Sequence, residues 1–222
     1  MSSLSSISAA KPRLRGRVHQ VSFFLAVLAG VVLFAHVTRP AARAACAVYV
    51  ASLVGLLGTS ALYHRVDWSD VARRRMRRLD HAAIFVLIAG TYTPIAMTLP
   101  PEEAHRVLVF AWVGAVLGAI RAIFWIGAPK GLVAALALLM GWFVVGYLPA
   151  IHSATGATVT LLIGAGGALY TAGALIYAFK RPNPWPATFG YHEIFHSLVV
   201  VAAAAHFVAV AISLENVASH VG

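Results

Sequence analysis

Cysteine is almost absent from this chain: Cys46 stands alone among 222 residues, which excludes an intrachain disulfide and any cysteine-based zinc cluster. Charge is scarce too. Only 11% of the residues are charged, with 7 acidic side chains against 17 basic ones, well below the roughly 25% of an ordinary soluble domain. Long polar linkers and low-complexity tracts are missing. The one polar stretch is an N-terminal tail, residues 1–17, whose Ser, Ala and basic composition predicts disorder. With 60% of the chain hydrophobic and a mean hydropathy of +0.82, the solvent that suits residues 18–222 is a bilayer.

Apolar runs long enough to cross roughly 30 Å of hydrocarbon as helices recur along the chain. They are read at about residues 19–37, 44–64, 80–99, 106–126, 131–148, 158–179 and 191–214. The expected fold is an all-α membrane protein, a single seven-helix transmembrane domain. Pro100, Pro101, Pro129, Pro149 and the group Pro182, Pro184 and Pro186 are expected in the gaps, where proline removes no helical hydrogen bond. Pro94 falls inside the third run and should bend it. Gly114, Gly118, Gly141, Gly146, Gly164, Gly166, Gly167 and Gly173 read as close-packing positions between helices. The basic stretch before the first run does not read as a cleaved signal, because that run is long and another follows directly.

The net charge of +10 would suit nucleic acid if it formed a patch. It does not: the charges sit in short segments between apolar runs. With the N-terminus inside, Lys11, Arg13, Arg15, Arg17, Arg65, Arg73, Arg74, Arg75, Arg77, Arg78, Lys130, Lys180 and Arg181 face the cytoplasm. Only Arg39, Arg43 and Arg106 lie outside, and Arg121 lies within the fourth run. The positive-inside rule therefore predicts a cytoplasmic N-terminus and an external C-terminus, and excludes nucleic acid as a partner.

Ionisable side chains at membrane depth are costly, so each is a functional candidate. The seventh run opens with His192-Glu193-Ile-Phe-His196, two histidines one helical turn apart on one face. The second run closes with Ser60-Ala-Leu-Tyr-His64, again spaced by four, and the third opens with Asp80-His81. All three ends are predicted to be cytoplasmic, and that topology rests on apolar runs and Lys/Arg placement alone. His64, His192 and His196 are thus the candidate metal ligands, a three-nitrogen set that leaves a fourth position open. Asp80 and Ser60 are the candidate catalytic residues: Asp80 to hydrogen-bond water at the metal, Ser60 to orient it or the substrate. His81 is expected to point away, and His206 lies too far along the seventh helix to join. His19, His36, His105, His152 and His220 read as interfacial or internally hydrogen-bonded. His192 to His196 also match the HExxH signature of metalloproteases, in which the glutamate is the general base, but Glu215 is too distant to be a third ligand and only Asp80 could replace it.

Taken with Gly90-Thr-Tyr-Thr-Pro94 and His206-Phe207, these motifs resemble the hemolysin III proteins, the bacterial branch of the progestin and adipoQ receptor family that includes the adiponectin receptors. The resemblance runs from the first to the seventh run. It implies a seven-helix fold with a cytoplasmic N-terminus and zinc held at His64, His192 and His196. It also implies that Asp80 contacts the water on that zinc and that Ser60 stands behind it. The adiponectin receptors carry glutamine where this chain has Glu193. The eukaryotic relatives have ceramidase-like activity, and some bacterial members are associated with membrane-lipid homeostasis.

The leading expectation is a zinc-dependent hydrolase of a lipid amide or ester, with membrane lipid as its partner. The rivals are a non-enzymatic, zinc-stabilised membrane sensor or regulator, a hemolysin-like pore former and an intramembrane metalloprotease. A pore would need a polar stripe through several spans, and the polar residues cluster at one end. No protein partner or oligomeric state is legible.

Overall fold

The computed structural model describes residues 12–219. Among them it is all-helical apart from a single bridge between Trp185 and Phe189. The helices are α1 (Arg17–His36), α2 (Pro40–Arg65), α3 (Asp70–Ala96), α4 (Pro101–Phe124), α5 (Lys130–Trp142), α6 (Leu148–Thr155), α7 (Ala157–Phe179) and α8 (Tyr191–Ser219), with a 3-10 turn at Phe143–Tyr147. Among the described residues seven segments are long and apolar enough to cross a membrane, the fifth of them made of α5, the 3-10 turn and α6 together. Most of the expected tail, and His220, lie outside the described residues.

Sequence neighbours pack side by side: α1 on α2, α2 on α3, α3 on α4 and α7 on α8. The last helix runs through the interior, touching α1, α2, α3 and α6 besides α7. Its far end is tied by Arg39, whose Nη1 donates to the Val217 carbonyl at 2.6 Å, satisfying one of the orphan acceptors of a helix C-terminus. Large apolar side chains such as Phe24, Leu28, Leu117 and Leu161 remain exposed on the outside, as a lipid-facing surface requires.

Several helix boundaries differ from the sequence reading, and three of the differences have a plain local reason. The third helix begins ten residues earlier, because Ser69 caps it (Ala72 N–H to Ser69 Oγ, 3.5 Å) and Asp70 complements the dipole in its first turn. The arginines expected in a loop are therefore helical, and Arg73 and Arg77 rise toward Asp80 on successive turns. Pro101 is not in a gap but at the first position of α4, where the missing N–H has no partner to lose. Pro149 likewise sits in the first turn of α6, so the fifth span continues to Thr155 after a break.

That break is stitched by Tyr92, from the Gly90–Pro94 motif. Its hydroxyl faces the carbonyl oxygens of Met140 (2.8 Å) and Gly141 (3.0 Å) and accepts from Val144 N–H at 2.9 Å. Backbone groups freed inside a membrane need such partners. The glycine reading divides. A Cβ on Gly118 would strike the Phe85 ring and one on Gly166 the His206 ring, so these permit close helix approach. Gly141, Gly146 and Gly164 face open space instead, and Gly141 and Gly164 line a cavity.

Candidate metal centre

The end of α2 and the start of α8 meet at one level of the bundle. Leu62 O accepts from Val66 N–H as α2 ends just beyond His64. On the other side, Gly190 immediately precedes α8, and its carbonyl accepts from Ile194 N–H (3.1 Å). Gly190 N–H donates to Glu193 Oε2 at 2.9 Å, one half of a capping box, and Tyr191 N–H donates to Asn183 Oδ1 at 3.1 Å. This fixed start sets His192 and His196 on consecutive turns facing His64.

Three Nε2 atoms converge. His192 Nε2 lies 3.3 Å from His64 Nε2 and 2.7 Å from His196 Nε2. One ring nitrogen from each of the three residues falls within 4.8 Å of the others. Ligands about 2.0–2.1 Å from a shared zinc would stand roughly 3.3 Å apart in a tetrahedron, so the donor set and its spacing fit a single metal ion. The three residues can hold one. Asp80 stands outside that group of mutually close atoms. Its carboxylate is hydrogen-bonded by the side chain of Ser60, a residue only 3% exposed.

Both residues and all three histidines line one cavity of about 420 Å³. It reaches along α3 from Arg73 and Arg77 past Asp80 to Ile95, about 33 Å of helix rise. Beyond the polar end its walls are mainly apolar: Leu56, Ile84, Leu87, Ile88, Val133 and Leu148. His81 lines it as well. His206 lies further in, its Nε2 at 3.2 Å from the Ile163 carbonyl, and takes no part in the triad, as its place on the helix predicts. His36 bonds its own helix at Val32 O (2.8 Å).

The sequence profile of the Haemolysin-III related family matches residues 7–207. The chain belongs to this family. It is 33% identical over 162 residues to the Hemolysin-3 homolog of Bacillus subtilis (strain 168), covering 72% of each chain. It is 31% identical over 194 residues to Hemolysin-3 of Bacillus cereus, covering 85% of each. A more distant relative is the Adiponectin receptor protein of Drosophila melanogaster, 28% identical over 170 residues, 68% of this chain and 38% of the fly protein. This haemolysin-III protein is a multi-pass integral membrane protein of the bacterial plasma membrane.

Two residues that the sequence reading did not assign to the site lie near the centre. His19, expected to be interfacial or internally bonded, is 3% exposed and packs against His196, the ring centroids 4.0 Å apart. Arg15, placed in the tail, donates from Nε to Glu193 Oε1 at 2.6 Å. The signal for His19 was available. It sits at the start of the first span, at the same end of the bundle as the other three.

Proposed function

We propose that this haemolysin-III protein is a zinc-dependent hydrolase of a lipid amide or ester that contributes to membrane-lipid homeostasis. The observation that carries the reading is the opening of the histidine triad, with Asp80 and Ser60 beside it, onto a long apolar-walled cavity. A cavity of this size suits a small-molecule ligand, and a few convergent polar groups at one end fix its orientation. The positive-inside count supports placing that end at the cytoplasmic face.

His64, His192 and His196 would hold the zinc ion (Zn2+) through Nε2. When bound, the metal supplies a lowered pKa for water and polarisation of the substrate carbonyl. The Asp80 carboxylate accepts a proton from the attacking water as its oxygen bonds to the acyl carbon, then passes that proton to the leaving nitrogen or oxygen as the C–N or C–O bond breaks. Ser60 donates to Asp80 and keeps it aimed. The acyl chain lies against Ile84, Leu87 and Ile88, where burial of each CH2 contributes about 0.8 kcal/mol.

The position of Asp80 outside the ligand group favours this reading over a closed, purely structural site, which would use four protein ligands. Glu193 is engaged by Arg15 and by Gly190 N–H, so the HExxH match does not supply a free general base for a protease. The test is metal content by mass spectrometry on detergent-purified wild type, His64→Ala and His192→Ala, followed by hydrolysis of a panel of lipid amides and esters. About one zinc per chain in wild type, lost in both variants, with turnover abolished by Asp80→Asn, is the expected result. A folded wild type never exposed to chelator that carries no metal sinks the proposal. So does turnover that persists in Asp80→Asn.

A further inference from the structure

Behind the triad, on the side of His196 away from His64 and His192, lies His19. We propose that His19 is a positioning residue of the metal centre: it accepts a hydrogen bond from His196 Nδ1 and thereby holds that imidazole with its Nε2 lone pair toward the other two histidines. The inference rests on the metal-binding reading above.

A neutral imidazole has one N–H and one lone pair. For His196 to ligate through Nε2, its proton must be on Nδ1, and that N–H then needs an acceptor. His196 is 5% exposed, so water is a poor competitor for the role. His196 Nδ1 lies 2.8 Å from His19 Nε2 and 3.0 Å from His19 Nδ1. In either tautomer of His19 the ring nitrogen without a proton lies within 3.0 Å of His196 Nδ1. The two rings meet edge to face, at an interplanar angle of 82°.

The chain before His19 is built to hold it there. Gly16 adopts φ 77°, a left-handed conformation open to glycine, and a Cβ on it would collide with the Cβ of His64. The start of α1 is thus pressed onto the helix end that carries His64. Arg13 N–H donates to Ala187 O (3.1 Å) and Leu14 N–H to Thr188 O (3.3 Å), joining the same segment to the loop before α8. Arg15 clasps Glu193, between the two α8 histidines. Segment 13–19 therefore contacts both helices that carry the triad and delivers one buried side chain to the outer nitrogen of one of its members. Partners of this kind set ring orientation and raise ligand basicity, and their loss typically lowers metal affinity 10–100-fold.

The full-length protein in detergent tests this directly. Zinc affinity is measured by competition with a chromophoric chelator, and the visible spectrum is recorded after loading with cobalt(II), for wild type, His19→Leu and His19→Gln. Leu and Gln both occupy much of the imidazole's space, but only Gln offers an acceptor oxygen. The expected result is zinc binding weakened about 10–100-fold in His19→Leu with altered cobalt bands, and most of that affinity and the native spectrum recovered in His19→Gln. If His19→Leu does not fold, His19→Ala takes its place. A folded acceptor-free variant with wild-type affinity and spectrum overturns the proposal. Equal weakening in Leu and Gln also overturns it, because packing alone would then explain the loss. Wild type that binds neither zinc nor cobalt is a separate outcome, which refutes the metal centre itself and this inference with it.

Discussion

Replacing Glu193 separates two roles that the HExxH pattern leaves confounded. Its carboxylate, 2% exposed, accepts from Arg15 Nε at 2.6 Å and from Gly190 N–H at 2.9 Å. Hydrogen bonds to a charged group are worth roughly 1.5–3 kcal/mol each, and the one from the neutral Gly190 N–H falls at the low end. Glu193→Ala removes both, so a loss of about 3 kcal/mol is expected. Glu193→Gln keeps one acceptor oxygen and loses the charge, for about 1–2 kcal/mol. For a chain of this length each kcal/mol shifts the melting temperature by roughly 2–4 °C. Thermal melting in detergent should therefore fall by about 6–12 °C for Ala and about 2–8 °C for Gln. Zinc content in the Gln variant should match wild type, and hydrolysis should stay within about tenfold. Loss of a general base costs about 10²–10⁴-fold in rate. A Glu193→Gln protein that melts like wild type yet turns over a thousandfold more slowly would show that the carboxylate does chemistry, and that its pairing with Arg15 is incidental.

Tyr92→Phe removes the hydroxyl that joins α3 to the break in the fifth span, and should cost about 1–3 kcal/mol in melting experiments without changing metal content. Gly118→Leu forces a side chain into the Phe85 ring and should destabilise by about 1–3 kcal/mol, with Gly118→Ala milder in the same assay. Gly164→Leu meets nothing near its Cβ and narrows the cavity, so melting and zinc content should hold while hydrolysis shifts toward shorter acyl chains. Unchanged chain-length preference would mean that the substrate does not occupy that part of the cavity.

Seven spans could be counted from the sequence because hydrocarbon thickness demands long uninterrupted apolar runs, and this chain has little else. The triad was legible for a related reason. His192 and His196 share a helix face by spacing alone, and His64 shares their end of the bundle by topology, which the Lys and Arg residues report independently. What stayed hidden depends on contacts that no periodicity carries. The early start of α3 turns on one serine cap at Ser69, and a hydropathy window dominated by Arg73 to Arg78 reads that helix as loop. The break in the fifth span was masked by Pro149, which stops a helix in one register and opens one in another. Glu193 fits a protease signature until Arg15 is seen beside it, 178 residues away in the chain.

His19 shares with the triad the feature that makes those histidines legible, its place at one end of the bundle. The end of the second span and the starts of the third and seventh lie at one depth, and the start of the first span lies there too. Taken alone, a histidine there is an ordinary interfacial residue. The physical reason to include it is that a ligating imidazole needs a partner on its outer nitrogen as much as an ion on its inner one. Three histidines converging from α2 and α8 therefore call for acceptors behind them, drawn from whatever element packs against the same helices. Two elements pack against both helices, α3, which carries Asp80, and α1. The first turn of α1 carries His19, and the same reasoning applies wherever a histidine cluster closes the end of a helical bundle.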